Sequence, residues 1–402
     1  MNNKNHGFNL FSVIVIIFLS SVISAITTGV IVNNTYKTSS GVSYNELAKD
    51  EDLSEFLDVY STITSNYYEN IDKKKLLESA VEAMTNYLDD SYTTYMDNNE
   101  RESLAEKLEG TYKGIGVTIN ERTIEDVTKD SPAEEVGLQK GDVITKVDDI
   151  DVTEYDAAKI AILIKSSDKE TIKLTILRAE QELEFNVDLK ELILPALSYK
   201  MIDNSKTGYI YISIFSNNIK DQFKNALNEL KKQGMERLIL DVRENSGGYL
   251  EGADKIANMF LKKGKLIYSL KDKKRTEKIY DKTKSYLDIP VVVIINNNSA
   301  SASEILAAAL KDSYGATIVG TNSFGKGKVQ QIYNLEDGSM VKYTAAKWLR
   351  PNGDCVDKKG ITPDIYVELP KVEQTEQTEQ VEQTTIVDTQ LQKAIEHINT
   401  LQ

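Results

Sequence analysis

Two short apolar runs in the second half of the chain constrain its fold most strongly. LILDV at residues 238–242 leads into the turn RENSGG, and PVVVIIN at residues 290–296 leads into a polar turn. Runs of this length, rich in β-branched residues, are typical of buried strands. Helical spacing appears around Phe223 and again from about Ala302 to Asp312. The sequence therefore predicts an α/β domain, which we place at residues 191–370.

Two other patterns precede this domain. Residues 51–108 predict a small helical unit, because apolar side chains recur at steps of three and four and would form two buried stripes: Phe56, Tyr60, Ile63, Tyr67, Leu77, Val81, Met84 and Leu88. Residues 109–190 contain short strand patterns that alternate with glycine turns, and they predict a separate β-rich domain.

The two ends of the chain differ from its body. Residues 8–32 carry no charge and are long enough to cross a bilayer, so they predict a single membrane anchor after a short cytoplasmic end at 1–7 and before a linker at 33–50. A cleaved signal peptide is the alternative, and either interpretation places the body outside the cytoplasm. Residues 371–386 predict a flexible polar linker, and residues 387–402 predict a short amphipathic helix that docks onto the α/β domain.

Composition restricts the chemistry. The net charge of −14 argues against a nucleic-acid partner. A single cysteine excludes an internal disulfide and a multi-cysteine zinc site. Both histidines, His6 and His397, lie near the chain ends, so acid–base chemistry in the body must come from Lys, Tyr, Asp or Glu.

Two polar segments have the residue types that a nucleophilic centre needs. NSASASE at residues 298–304 places serines between a buried strand and a helix, where backbone amides and the helix dipole favour negative charge. FGKGKVQQ at residues 324–331 offers Lys326, which burial among apolar neighbours such as Phe324 and Val329 can keep neutral. The alternatives are a capping box from Ser301 to Glu304 and a surface lysine in a glycine turn.

Residues 109–190 resemble a PDZ domain of the bacterial, protease-associated kind. The resemblance rests on SPAEEVGLQKGD at residues 131–142 and on the loop that comprises Gly114, Ile115, Gly116 and Val117. It implies that an extended peptide adds as a strand at the sheet edge and that the loop amides bind its terminal carboxylate. A different small β-rich domain with glycine turns is the alternative.

Residues from about 54 to 369 resemble the carboxyl-terminal processing (tail-specific) protease family. The motifs are LDDSY at 88–92, DVRENSGG at 241–248, the two segments above, and WLRPNG at 348–353 with GITPD at 360–364. The resemblance implies a crotonase-like α/β core that uses neither a metal nor an organic cofactor. It also implies three catalytic residues and three oxyanion-hole residues: Ser301 as nucleophile, Lys326 as general base, Gln330 as the residue that orients the lysine, and Gly247, Gly248 and Ala302 around the oxyanion. Ser303 and Lys328 have the same separation as Ser301 and Lys326, so spacing alone leaves the register open.

The expected fold class is therefore multidomain α+β, with an anchor, a helical unit, a PDZ domain and a protease core. The expected function is that of a single-pass, membrane-anchored serine endopeptidase with a Ser-Lys centre. Its PDZ domain would recognise the C-terminal segments of protein substrates and control the active site. Homo-oligomerisation is an expectation from the resemblance. The alternative function is that of a catalytically inactive PDZ-containing adaptor.

Overall fold

The computed structural model describes residues 47, 49–284, 286–370 and 387–401. The chain divides into two compact units, with the boundary between Met84 and Thr85. The first unit contains most of the predicted helical segment, and the second contains the remaining described residues.

The first unit contains two helices, as the apolar spacing predicts. Helix α1 is Glu51–Asn66, and helix α2, Lys73–Tyr87, begins in this unit and continues past its end. The Asp50 side chain accepts a hydrogen bond from Leu53 N and caps α1. The expectation of two buried stripes is wrong for the described residues, because Phe56 and Leu77, among others, are exposed. Two helices alone offer too little surface to enclose both stripes.

The second unit begins with a short strand, a helix and a PDZ-like sheet. Their bounds are β1 Thr94–Met96, α3 Asn98–Glu109, β2 Thr111–Gly114, β3 Val117–Asn120, β4 Thr123–Val127, α4 Pro132–Glu135, β5 Val143–Val147, β6 Ile150–Asp151, α5 Ala157–Lys165, β7 Thr171–Arg178, β8 Gln181–Asp188 and β9 Lys190–Ile193. Five strands pair in the order β3-β4-β5-β7-β8, with β6 on β5. Ile124, Ile144 and Ile172 are fully buried in a separate core. Strands β2 and β9 pair with each other where the chain enters and leaves this domain.

The α/β core follows. Its elements are β10 Leu197–Met201, β11 Thr207–Ile212, α6 Ile219–Lys232, β12 Arg237–Asp241, α7 Leu250–Ala257, β13 Leu266–Lys271, β14 Thr276–Tyr280, β15 Val291–Ile295, α8 Ala302–Ala309, β16 Thr317–Gly320, β17 Lys328–Asn334, β18 Met340–Leu349, β19 Ile365–Tyr366 and α9 Thr389–Ile398. A π-helical turn, Leu310–Tyr314, continues α8.

The central sheet has the order β10-β11-β12-β15-β16-β19, and all its neighbouring strands are parallel except β10 and β11. Alternate side chains face opposite sides because the strand period is two. Leu238 and Leu240 contact the core that contains α6, α7 and α8, whereas Ile239 faces the side that α9 covers. The prediction of an α/β core is confirmed, and the C-terminal helix α9 packs on one face of its central sheet.

A second sheet in this unit has the order β1-β18-β13-β14, with β17 on β18. Its strand β18 carries Trp348, and β17 begins at Lys328, so this sheet supports the lysine loop from one side.

The predicted anchor at residues 8–32 and the predicted linker at 371–386 lie outside the described residues. Among the helices that the structure does describe, none combines the length and the apolar character needed to span a membrane.

Candidate active site

Ser301 lies at the junction of β15 and α8 in a strained conformation. It is the N-cap residue of α8, with φ 54° and ψ −114°. A positive φ is uncommon for a residue other than glycine, and such strain concentrates at functional sites. The serine is 8% exposed. Ser301 is therefore a nearly buried residue on a strained backbone.

The three serines of the segment differ in their hydrogen bonds. Ser299 Oγ donates to Val242 O at 2.8 Å, and Ser303 Oγ donates to Asn245 O at 2.8 Å. Within the described residues, the hydroxyl of Ser301 donates to no protein acceptor. Two of the serines therefore fasten the segment to its neighbours, and Ser301 is the one whose hydroxyl proton is available for chemistry.

Glu304 joins the serine to the lysine loop. Its Oε2 accepts from Ser301 N at 2.9 Å and from Lys326 N at 2.9 Å, and its Oε1 accepts from Gly325 N at 2.8 Å and from Ser323 Oγ. Burial raises the pKa of Glu304, and these four donors act in the opposite direction. The predicted capping glutamate thus does more than cap α8, because it ties both candidate catalytic segments to one carboxylate.

Lys326 and Lys328 lie in contrasting environments. Burial and the positive charge of Lys342 lower the pKa of Lys326, against the opposing effect of nearby carboxylates. Lys328 Nζ instead donates to Asp90 Oδ1 at 3.0 Å, which raises the pKa of Lys328. A general base must be neutral before it accepts a proton. Lys326 meets that requirement better than Lys328 does.

The apolar setting of Lys326 differs from the predicted one. Phe324 is 54% exposed and does not enclose the amine. The Lys326 Nζ lies over the ring of Tyr92, 4.9 Å from the ring centroid, and Trp348 Nε1 donates to Lys326 O at 2.8 Å. A tyrosine from the LDDSY motif and a buried tryptophan therefore provide the setting.

The three predicted catalytic side chains are not joined by hydrogen bonds. Over the described ranges, no hydrogen bond links Ser301 Oγ to Lys326 Nζ. Gln330 Nε2 donates to Thr344 Oγ1 at 3.4 Å on the neighbouring strand β18, rather than to Lys326. The backbones of Ser301 and Lys326 are brought together, while the proton-transfer contact is not formed.

The glycine turn after β12 lies against Ser301. A Cβ added to Gly247 would be 2.9 Å from Ser301 Cβ and 3.2 Å from Ala302 N, at a φ of 114°. Gly247 N donates to Asn245 Oδ1 at 2.8 Å. In the part of the chain that is described, Gly248 N and Ala302 N have no acceptor. Of the three predicted oxyanion residues, Gly248 and Ala302 therefore have amides that can donate to a substrate, and Gly247 provides close approach.

Comparison with known proteins identifies the family and the domains of the chain. The model of "Peptidase family S41" matches residues 206–367, "PDZ domain" matches residues 97–189, and "Activating protease CtpB N-terminal domain" matches residues 24–100. A "Probable CtpA-like serine protease" of Staphylococcus haemolyticus is 34% identical over 381 residues, which cover 92% of this chain and 75% of the relative. Its counterpart in Staphylococcus epidermidis is 33% identical over 365 residues, 89% of this chain and 72% of the relative. The chain belongs to the S41 peptidase family.

A solved structure titled "Photosystem II D1 C-terminal processing protease" is 24% identical with a TM-score of 0.48, over 80% of this chain and 88% of its own. The predicted family and the predicted enzyme class, a serine-type peptidase with a PDZ domain, are confirmed.

Sequence reasoning did not assign roles to three residues of this S41 peptidase. Glu304 was visible as the end of a capping-box pattern, and Tyr92 as the end of the LDDSY motif. Asn245 is fully buried and binds Gly247 N and Ile212 O through its side chain. Its position in DVRENSGG was the available signal. A local sequence motif cannot predict a contact between residues more than 200 positions apart, such as that of Tyr92 with Lys326.

The predicted peptide-binding loop of the peptidase lies between β2 and β3. Gly116 has φ 89°, and an added Cβ would clash with Ser131 Cβ. Ile115 O accepts from Ala133 N at 2.9 Å. This bond holds the Ile115 carbonyl, while β3, which ends its sheet in the described structure, pairs on one side with β4. The free edge of β3 has the geometry that strand addition needs.

His397 is distant from this chemistry along the sheet. Its Nε2 lies 3.0 Å from Thr317 Oγ1, at the start of β16. Ser301 follows the end of β15, which runs parallel to β16. The histidine therefore lies toward the opposite end of the strands, as its position near the chain end suggested, and His6 lies outside the described residues.

Proposed function

We propose that this S41 peptidase cleaves proteins near their C-termini with Ser301 as nucleophile and Lys326 as general base. One observation carries the proposal. The spacing allows two serine–lysine pairs. Among the described residues, the Ser301 hydroxyl and the Lys326 amine donate no hydrogen bond to a protein group. The Ser303 hydroxyl and the Lys328 amine, in contrast, each donate a hydrogen bond to another residue. Glu304 binds both backbones and keeps the pair in register.

The chemistry follows from these positions. Neutral Lys326 takes the proton of Ser301 Oγ as that oxygen attacks the peptide carbonyl. The amides of Gly248 and Ala302 stabilise the resulting oxyanion, and the lysine ammonium returns its proton to the leaving amine. Lys326 then removes a proton from water as the water oxygen attacks the acyl-enzyme. The ester bond to Ser301 breaks, the lysine ammonium returns the proton to Ser301 Oγ, and the new C-terminus is released.

Catalysis by this route requires Lys326 to turn from Tyr92 towards Ser301. We infer that a bound peptide in the PDZ domain favours that state. Support comes from the connection at the base of the domain. Gly110 O accepts from Asn218 Nδ2 at 2.8 Å, and Glu109 Oε1 accepts from the hydroxyl of Tyr249 at 3.0 Å. Tyr249 directly follows the oxyanion glycine Gly248, so a movement at the β2–β9 pair would reach the oxyanion loop.

We further propose that residues 8–32 anchor the enzyme and place its catalytic part outside the cytoplasm. The support is the uncharged sequence of that segment. Fractionation of cells that express the full chain, with protease added to intact spheroplasts, tests this. Degradation of the catalytic part without lysis is expected, and protection until lysis would contradict the orientation.

The catalytic proposal is tested on the full chain in detergent, with an unfolded protein substrate and a set of C-terminal peptides as activators. Ser301→Ala and Lys326→Ala should each abolish turnover, while Ser303→Ala and Lys328→Ala, which remove structural bonds, should retain it in the fraction that folds. Turnover that survives Lys326→Ala would exclude this lysine as base. Peptide capture without turnover by the unmodified enzyme, whichever activator is added, would favour the adaptor function instead.

A further inference from the structure

The C-terminal helix α9 is seated on the face of the central sheet that lies behind the catalytic loops. Ala394 and Ile398 are fully buried and share a core with Ile239, Ile294 and Val319. Since Ile239 and Ile294 belong to β12 and β15, α9 packs directly on the two strands whose ends carry the oxyanion loop and the nucleophile.

The first turn of α9 binds Arg243 through a bidentate ion pair. The guanidinium donates to Asp388 Oδ1 at 2.9 Å and to Asp388 Oδ2 at 2.7 Å. A further bond of 3.1 Å runs from Arg243 to Gln390 Oε1. The Arg243 side chain is 11% exposed and that of Asp388 is 36% exposed. Bidentate, partly buried pairs of this kind hold a fixed geometry better than exposed ion pairs do.

Arg243 belongs to the segment that forms the oxyanion site. Its guanidinium also binds Asp241 at the end of β12, with Nε 3.0 Å from Oδ1. The next residue, Glu244, has φ 56° and accepts from Asn296 Nδ2 at 2.6 Å. Asn245 follows and holds Gly247 N. The side chain of Arg243 is thus bound to both β12 and α9, and the backbone of Arg243 leads within a few residues to Gly247 and Gly248.

Asp388 makes two separable contributions. Its carboxylate accepts from Leu391 N at 2.9 Å and caps α9, in addition to pairing with Arg243. Burial acts to raise the pKa of Asp388, but the hydrogen bonds from Arg243 and from the backbone outweigh it, so the pKa lies below its ordinary value and the carboxylate is ionised. Asparagine is an equally good helix cap without the charge, so Asp388→Asn removes the ion pair and keeps the cap.

We propose that α9 is a clasp for the oxyanion loop and that Asp388 is a positioning residue for catalysis, acting through Arg243 on residues 242–248. The inference rests on the oxyanion role proposed for Gly248. It makes the rate of the chemical step depend on a helix that contributes no atom to the reaction.

The test compares Asp388→Asn with Glu396→Gln in the full chain. Glu396 is an exposed acid on the same helix, paired with Lys393, and therefore provides a matched loss of one negative charge. Asp388→Asn is expected to lower kcat about tenfold, as the loss of a charge-assisted hydrogen bond implies, with KM within about twofold. Glu396→Gln should change neither value.

Hydrogen exchange supplies a readout that does not depend on substrate. In Asp388→Asn, the amides of residues 242–248 should exchange about tenfold faster, whereas those of α6, on the other face of the sheet, should keep their rates. Unchanged exchange at 242–248 overturns the proposal, as does an equal acceleration in α6, which would indicate general destabilisation. A kcat equal to that of the unmodified enzyme overturns it too.

These outcomes are separable from a failure of the proposed function. The exchange experiment is repeated in the Ser301→Ala background, where no turnover interferes. Activity that persists in Ser301→Ala would refute the assignment of Ser301 as nucleophile, and it would not affect the hydrogen-exchange result. Conversely, an inactive Ser301→Ala enzyme whose oxyanion loop is insensitive to Asp388→Asn would retain the nucleophile and remove the clasp.

Discussion

Glu304 offers the sharpest test of how the site is assembled, because one buried carboxylate accepts four hydrogen bonds. Three of the donors are backbone amides, of Ser301, Gly325 and Lys326, and the fourth is the Ser323 hydroxyl. The perturbation is a pair of substitutions at this position, Glu304→Ala and Glu304→Gln. Neither substitution removes the hydrogen bonds that Ser299 and Ser303 donate.

The expected magnitudes follow from counting the stranded donors. A buried donor without a partner costs about 1–3 kcal/mol. Glu304→Ala strands three amides, so the free energy of unfolding should fall by roughly 3 kcal/mol or more. In Glu304→Gln, the amide oxygen can still accept from Ser301 N and Lys326 N while its NH₂ turns to Ser323 Oγ. One amide, that of Gly325, is then stranded, and the expected loss is about 1–3 kcal/mol.

The assay is denaturant unfolding followed by tryptophan fluorescence. Trp348 is the sole tryptophan of the chain, is fully buried and is bonded to Lys326 O, so its emission reports on this part of the core. Glu336→Gln, at an exposed position between β17 and β18, is the control and should change the free energy of unfolding by less than about 0.5 kcal/mol. A Glu304→Ala variant as stable as that control would refute the argument that this carboxylate assembles the two catalytic segments.

Three further predictions concern the same region. Lys342→Met should move the acidic limb of the pH profile of kcat/KM to higher pH, because the charge of Lys342 lowers the pKa of Lys326 and the amine is active when neutral; a limb that stays or moves down would contradict this. Gly247→Ala should lower kcat about a hundredfold, because its Cβ would lie 2.9 Å from Ser301 Cβ and would displace the serine from the oxyanion donors Gly248 and Ala302; near-normal turnover would show that the turn can relax. Asp90→Asn should destabilise the fold above about pH 4 and progressively less towards pH 2. Hydrogen bonds, outweighing burial, lower the pKa of Asp90 from 3.8 to about 2, so its contribution is lost as the pH falls through that window; a stability difference independent of pH would refute it.

The glycine prediction has a matched control in the PDZ domain. Gly137 also has a positive φ, 84°, but an added Cβ would meet nothing within 4 Å. Gly137→Ala therefore carries the backbone strain without the contact. Its activity should remain close to that of the unmodified enzyme, and an equal loss in both variants would point to strain alone.

Much of the organisation was readable from the order of local patterns. The apolar runs at residues 238–242 and 290–296 predicted buried strands, and both are central strands of the sheet. The amphipathic spacing of the last residues predicted a helix, which forms as α9. Such features depend on side-chain periodicity within a few residues, so a single sequence contains them.

The helical unit shows what apolar periodicity can and cannot predict. Its spacing predicted the helices α1 and α2 correctly, and the buried stripes wrongly for the described residues. Periodicity states which side of a helix is apolar. It does not state what covers that side, because the covering surface comes from elsewhere in space.

The sequence by itself determined the fold class of the core, and it predicted the two segments that can carry nucleophilic chemistry and a base other than histidine. The resemblance named Ser301 and Lys326, and only the tertiary structure shows how their surroundings differ from those of Ser303 and Lys328, the pair with identical spacing. The difference comes from the hydrogen bonds of Ser303 to Asn245 and of Lys328 to Asp90, and from the burial of Lys326 near the positive charge of Lys342. Side-chain reactivity depends on partners and solvent exposure, and the fold supplies these from residues far apart in the chain.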